Sequence, residues 1–141
     1  MQFILTVCIG NICRSPLAEA MLLRAFPERT VWSAGLGALV GQPADPLSLL
    51  LAQENGLDLA AHRAQQINTV MCQRADLILV MEQHQREELE RRYPLARGKV
   101  FRLAEADIAD PYRQPRPAFE TAYAEIAAGA EAWVQRIRRL S

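Results

Sequence analysis

The sequence predicts an α/β fold, a single open four-stranded parallel sheet with helices on both faces. Three observations carry that expectation. Apolar runs of strand length alternate with segments of helical periodicity, the pattern of parallel strands joined through crossover helices. The run Asp76-Leu77-Ile78-Leu79-Val80-Met81 is apolar after its first residue, as a central strand is. The 141 residues, 50% of them hydrophobic, suffice for one core, and no repeat or linker divides residues 1–141 into more than one domain.

Phe3–Val7 is the first strand. Ser15 reads as a helix N-cap and Pro16 as the first helical residue, with Leu17, Met21 and Ala25 following at helical spacing. Val31–Ala34 forms a second strand, ahead of the glycine-bearing loop "GLGALVGQP". Asp45-Pro46 opens a second helix through Leu47, Leu50 and Leu51, and Gly56 stops it. The strand at 76–81 leads into a charged helix, "EQHQREELERRY", which ends before Pro94. Val100–Leu103 is the fourth strand. Beyond the loop "ADIADPYRQPRP", Phe119, Tyr123, Ile126, Ala127, Ala130, Trp133, Val134 and Ile137 draw one core-facing stripe along a last helix. Arg136, Arg138 and Arg139 near its end complement the helix dipole.

Sixteen basic and 16 acidic residues cancel, so charge gives no support for a nucleic-acid or membrane partner. Lys99 is the single lysine among the cations, a compositional bias rather than a functional patch. Cys8, Cys13 and Cys72 make no disulfide framework, and C-x4-C without a matching cluster makes no zinc site. No metal or other cofactor is expected. No apolar stretch approaches membrane-span length, and an initial apolar run of about five residues without a basic start is no secretory signal. The expectation is a cytoplasmic protein that does not insert in a membrane.

The stretch "VCIGNICRSP" holds the chemistry. Cys8 falls at the carboxyl end of the first strand, where open α/β sheets hold their ligands. The loop Ile9–Cys13 must curl tightly to reach the helix, and Gly10 and Asn11 are the residue types that tolerate positive φ. Such a curl turns the backbone N–H groups of Ile9, Gly10, Asn11, Ile12 and Cys13 inward as an anion nest, beside the positive end of the helix. Arg14 adds a planar, bidentate grip on two phosphate oxygens. A sulfur at the floor of that pocket is favoured as the thiolate, and the Ser15 hydroxyl favours it further by donating to it. The residues therefore point to phosphoryl transfer through a phosphocysteine. Among the three cysteines only Cys8 has an arginine six positions on, and G-K-[ST] of the nucleotide phosphate loop is absent. The departing oxygen needs a proton, and the loop after the fourth strand offers Asp107 and Asp110, the latter stiffened by Pro111 and followed by Tyr112.

With "VCIGNICRSPLAEA", "SAG" at 33–35, "DLILVM" at 76–81 and "DPY" at 110–112, the chain resembles the low-molecular-weight protein tyrosine phosphatases over nearly its whole length. "SAGLGALVGQPADP" is further similar to the bacterial branch that opposes tyrosine autokinases of capsule and exopolysaccharide export. The resemblance implies Cys8 as nucleophile, Arg14 as phosphate clamp, Ser15 as thiolate stabiliser and Asp110, rather than Asp107, as general acid. It implies Asn11, Ser33 and His62 as supports of the phosphate loop, while His84 reads as part of a solvated helix face. A phosphotyrosine protein is the implied substrate, on the tail of a membrane-bound autokinase.

Some positions depart from the family pattern. "DPYR" has one tyrosine where eukaryotic relatives often have two, and "GLGALVG" lacks the usual bulky aromatic. Leu36, Leu39 and Val40 on one side and Tyr112 on the other are thus the expected walls of an apolar slot. The slot itself carries no strong charge, so preference among phosphotyrosine peptides is expected to be weak. Related phosphoarginine phosphatases carry threonine at the position of Ile12, which favours phosphotyrosine here. An arsenate reductase on the same fold needs a relay of further cysteines, and Cys72 stands alone. Cys13 is a candidate redox partner for Cys8, through a disulfide that would shield an oxidised Cys8.

Overall fold

The computed structural model describes residues 1–140. Strand β1 (Phe3–Cys8) is buried at every position and lies inside the sheet. It pairs in parallel with β2 (Thr30–Gly35) on one side and β3 (Leu77–Val80) on the other, and β4 (Val100–Arg102) pairs in parallel with β3. The order β2-β1-β3-β4 is that of a single open four-stranded sheet, as expected. Because the chain moves outward from β1 to β2 and then returns to the other side of β1, the loops part at the carboxyl ends of β1 and β3. That crevice is where such sheets bind ligands.

Alternation along the strands gives two cores. Ile4, Leu77 and Leu79 pack under α1 (Arg14–Ala25), through Leu17, Met21 and Leu22, and under α5 (Arg116–Leu140), through Ile126, Trp133 and Ile137. Leu5, Val7, Ile78 and Val80 face the other way, onto Met71 and Cys72 of α3 (Thr69–Arg74) and Leu89 of α4 (Gln83–Arg92). Each such side chain contributes about 1.5–3 kcal/mol through burial, so the sheet is a firm base for the loops above it. The expected stripe of α5 is the face that buries Phe119, Ile126, Ala130, Trp133, Val134 and Ile137, while Tyr123 and Ala127 pack at its margin.

Helix α2 (Pro46–Glu54) starts as expected, with the Asp45 carboxylate accepting from Leu47 N at 3.0 Å, and Gly56 follows it at φ +76°. Two elements differ from expectation. Ser15 does not cap α1, which begins at Arg14 with Cys13 in the cap position and no side-chain cap. The Ser15 hydroxyl is instead engaged by Cys8 and Asn11. Helix α3 was not expected at all: its six residues are too few for an apolar period, and only Asn68, whose side chain accepts from Met71 N at 2.9 Å, announces it. Among the described residues no helix is long and apolar enough to cross a membrane.

Candidate active site

Between β1 and α1 the chain curls around its own amides. Asn11 sits at φ +60°, and every carbonyl from Cys8 to Cys13 is held from outside the curl. Those of Cys8, Ile9 and Gly10 accept from the backbone N–H groups of Leu36, Gly37 and Leu39 at 3.0 Å. That of Asn11 accepts from His62 Nε2 at 2.6 Å, so this nitrogen carries the ring proton. Ile12 O accepts from Asp45 N at 2.9 Å, and Cys13 O from Ser48 Oγ at 3.1 Å. With the carbonyls of Cys8 to Cys13 turned out, the N–H groups across the same peptide units, those of Ile9 to Arg14, turn to the concave side as a nest. The loop after β2 and the start of α2 thus mould the nest, each bond adding about 1 kcal/mol.

The side chains beneath it form a chain of bonds with one direction. Gln65 N donates to Asn11 Oδ1 at 2.9 Å, which fixes the amide so that Nδ2 donates to Ser15 Oγ at 2.8 Å and to Ser33 Oγ at 2.9 Å. Ser33 Oγ donates in turn to Glu19 Oε1 at 2.6 Å. Ser15 Oγ, accepting from Asn11, also lies 2.9 Å from Cys8 Sγ, and it is the donor wherever that sulfur is a thiolate. Asn11, Ser33 and His62, expected as loop supports, are thus bonded in or beneath the loop, and Ser15, expected to stabilise the thiolate, lies against Cys8. Glu19, whose carboxyl is pushed above its ordinary range by burial, and Gln65 were missed.

Arg14 is 1% exposed and closes the far side of the nest. Its Nη1 donates to Ile108 O at 2.6 Å and lies 3.4 Å from Glu82 Oε2, while Nη2 lies 3.6 Å from Asp110 Oδ2. Its Nε is buried without a hydrogen-bond partner. Glu82, unforeseen from the sequence, is steadied by Gln85 Nε2 at 3.1 Å and by His84 Nε2 at 3.0 Å. His84 is thus not simply solvated. Nothing in the local sequence pattern marks Glu82 as a partner of Arg14, because the fold brings it there from the end of β3.

The nest floors a cavity of about 130 Å³ that Cys8, Arg14 and Asp110 share with Ile12, Leu39 and Tyr112. Two grooves of about 490 Å³ lie elsewhere, along α5 and beside α1, and neither contains a cysteine. The wall expectation needs correcting at two positions. Leu36 is 6% exposed and packs into the core beneath the sheet, and Val40 is 67% exposed and outside the cavity. Ile9 and Ile12 supply the apolar surface in their place. Asp107 faces away: it accepts from Gln83 N at 2.9 Å, which with Arg102 holds its carboxyl below the usual range. Asp110 lines the cavity, its Oδ1 accepting from Tyr112 N at 3.1 Å. Cys13 lines it too, as a free thiol whose pKa is pushed far up, first by burial and then by Asp45 and Cys8.

Residues 3–141 match the low molecular weight phosphotyrosine protein phosphatase family. The probable low molecular weight protein-tyrosine-phosphatase EpsP of Ralstonia nicotianae is 52% identical over 143 residues, spanning 99% of this chain and 99% of its own. Vibrio vulnificus Wzb, solved in complex with benzylphosphonate, superposes with a TM-score of 0.92 at 43% identity, over 95% of this chain and 97% of that one. The YwlE arginine phosphatase from Geobacillus stearothermophilus superposes with a TM-score of 0.92 at 30% identity, over 99% and 94%.

Proposed function

This chain belongs to the low molecular weight phosphotyrosine protein phosphatase family and is a protein-tyrosine phosphatase, and we propose that Cys8 is its nucleophile, Arg14 its phosphate clamp and Asp110 its general acid. The Cys8 thiolate attacks phosphorus in line, and the S–P bond forms as the bond to the tyrosyl oxygen breaks. Asp110 delivers its proton to that oxygen. The nest amides of Ile9 to Cys13 and the Arg14 guanidinium hold the three equatorial oxygens as charge shifts among them. The Asp110 carboxylate then takes a proton from water, which displaces sulfur and releases inorganic phosphate.

The observation that carries this reading is the direction of the bonds beneath the nest. Asn11 Nδ2 donates to Ser15 Oγ, and the Ser15 hydroxyl, 2.9 Å from Cys8 Sγ, is placed to donate to that sulfur as a thiolate. The buried, unpartnered Nε of Arg14 is a further donor whose desolvation an incoming oxyanion offsets. The cavity, walled by Ile12, Leu39 and Tyr112, suits a flat ring above the phosphate. A thiol relay of the arsenate-reducing kind has no support, because Cys72 is buried in the core on the other face of the sheet. The family branch supports, as substrate, a phosphotyrosine tail of a membrane-bound autokinase in exopolysaccharide production, met in the cytoplasm by this one catalytic domain.

The test compares matched phosphotyrosine, phosphoserine and phosphoarginine peptides, with Cys8→Ser beside the wild type. Phosphotyrosine should be cleaved fastest, and Cys8→Ser should lose about a thousand-fold or more while still binding phosphate. Substantial turnover by Cys8→Ser removes the nucleophile assignment. Faster release from phosphoarginine means that the Ile12 wall selects something other than an aryl ester.

A further inference from the structure

Among the described residues, two other than glycine have positive φ, Asn11 at 60° and Arg113 at 64°, and each is flanked in sequence by a residue that lines the cavity, Gly10 and Ile12 for the first and Tyr112 for the second. Asn11 is anchored there by its bonds to Ser15, Ser33 and Gln65. Arg113 has no such anchoring. It is the third residue of a turn closed by Gln114 N donating to Pro111 O at 2.9 Å, the position at which a positive φ ordinarily selects Gly or Asn. Its side chain is exposed, and among the described residues it meets no carboxylate and no hydrogen-bond acceptor. Its guanidinium carbon lies 5.2 Å from the centre of the Tyr112 ring, whose own position is on the cavity wall.

The other cations nearby are committed. Arg14 is buried against Glu82 and Asp110, and Arg116 pairs with Glu54 and Glu120. Asp110 is the one acidic residue between Ile108 and Glu120, and its carboxylate is turned to Arg14. The mouth therefore carries an unpaired positive charge, resting on an aromatic face that orients its planar fork. A strained backbone kept without structural return, beside a catalytic loop, marks a functional position.

We infer that Arg113 is a specificity residue that reads an anionic group, a carboxylate or a second phosphate, carried by the substrate chain beside its phosphotyrosine. The inference rests on the phosphotyrosine site proposed above and extends it outward. The phosphate sits down against Cys8, the ring passes Tyr112, and the flanking peptide emerges beside the guanidinium. The ring walls Ile12, Leu39 and Tyr112 carry no charge, but the rim does, so the preference among phosphotyrosine peptides is measurable.

The experiment reads one ratio, kcat/KM on an anion-flanked phosphotyrosine peptide over kcat/KM on the matched neutral peptide. It has two arms, one with flanking glutamates and one with a second phosphotyrosine, which separate the two sources of negative charge. The wild type should favour the flanked peptides about three-fold, the size of an exposed ion pair, and less at high salt. Arg113→Gly, which suits the positive φ better, should bring the ratio to about one. Arg113→Lys should restore most of it, and Arg113→Glu should push it below one. Unchanged ratios in Arg113→Gly and Arg113→Glu, in enzymes that still cleave the neutral peptide, overturn the assignment of Arg113 alone. A wild type that cleaves neither peptide overturns the phosphatase mechanism and this inference with it.

Discussion

At the scale of the residue, the site works because few protons have a choice. Gln65 N fixes the Asn11 amide, Asn11 fixes Ser15 and Ser33, and Ser15 is left facing Cys8. Asn11→Gly tests this economy, since glycine keeps the positive φ at no cost and removes only the side-chain bonds. It should lower stability by about 2–3 kcal/mol, from three lost bonds of about 1 kcal/mol each, and slow turnover as Ser15 loses its orientation. Urea unfolding beside steady-state kinetics reads both, and a stable variant of normal rate contradicts the relay. Asp110→Ala should cost about 10²–10⁴-fold on phosphotyrosine, the worth of a positioned proton donor, and less on p-nitrophenyl phosphate, whose leaving group departs without one. Asp107→Ala should spare catalysis and cost only stability, because Asp107 serves Gln83 N and Arg102. Equal losses from Asp110→Ala on both substrates move the acid elsewhere. Cys8, Arg14, Ser15 and Asn11 were legible because one ten-residue stretch carries them. Glu19, Gln65 and Glu82 were not, since each reaches the nest from a different element and no local spacing records such a meeting.

At the scale of the element, the nest is a joint between β1, the loop after β2 and the start of α2. The strands and long helices could be read from period and caps, because burial on the sheet imposes a period of its own. The loop walls could not. Residues in an irregular segment have no period to say which way they point, so Leu36 was assigned to the slot although it faces the core, and Val40 although it faces solvent. Of the two roles the sequence offered Ser15, the cap failed, because α1 starts one residue earlier with Cys13 in the cap position, while the contact with the sulfur seven residues back is present. The joint is tight at Gly35, where an added Cβ would lie 2.3 Å from Ile9 O and 3.0 Å from Ala38. Both obstacles are held by the main chain, so neither yields easily. Gly35→Ala should therefore cost about 1–3 kcal/mol of stability and weaken phosphate binding by displacing the Ile9 carbonyl and the nest with it. Calorimetric titration of phosphate beside thermal unfolding checks it. Unaltered phosphate affinity would mean that the β2 loop does not mould the nest.

At the scale of the whole molecule, stability should fall on both sides of neutrality, for opposite reasons. Asp76 accepts from Phe3 N and Gln2 N at the start of β1, and these bonds hold its carboxyl below the ordinary range. Its folded pKa lies under its unfolded one, so this stabilisation is present above about pH 4 and is lost as acid protonates it. The alkaline side is set by thiols. Burial pushes the Cys72 pKa from 9.0 to about 11 and that of Cys13 further in the same direction. In the unfolded chain both thiols ionise near their ordinary value, while the folded chain keeps their protons. The folded state then binds more protons than the unfolded one, and stability declines as pH rises from 9 toward 11. The slope approaches at most about 1.4 kcal/mol per pH unit for each thiol. Fifteen arginines keep their charge throughout this range and leave the slope to fewer groups. Urea midpoints measured in reductant from pH 8 to pH 10.5 should fall steadily for the wild type. Cys72→Ala removes one of the two thiols, so its midpoints should start lower, through the lost packing, and fall less steeply. Parallel lines for the two proteins would mean that Cys72 ionises in the folded chain as readily as in the unfolded one, and that the core beneath β1 and β3 admits the charge that its burial should exclude.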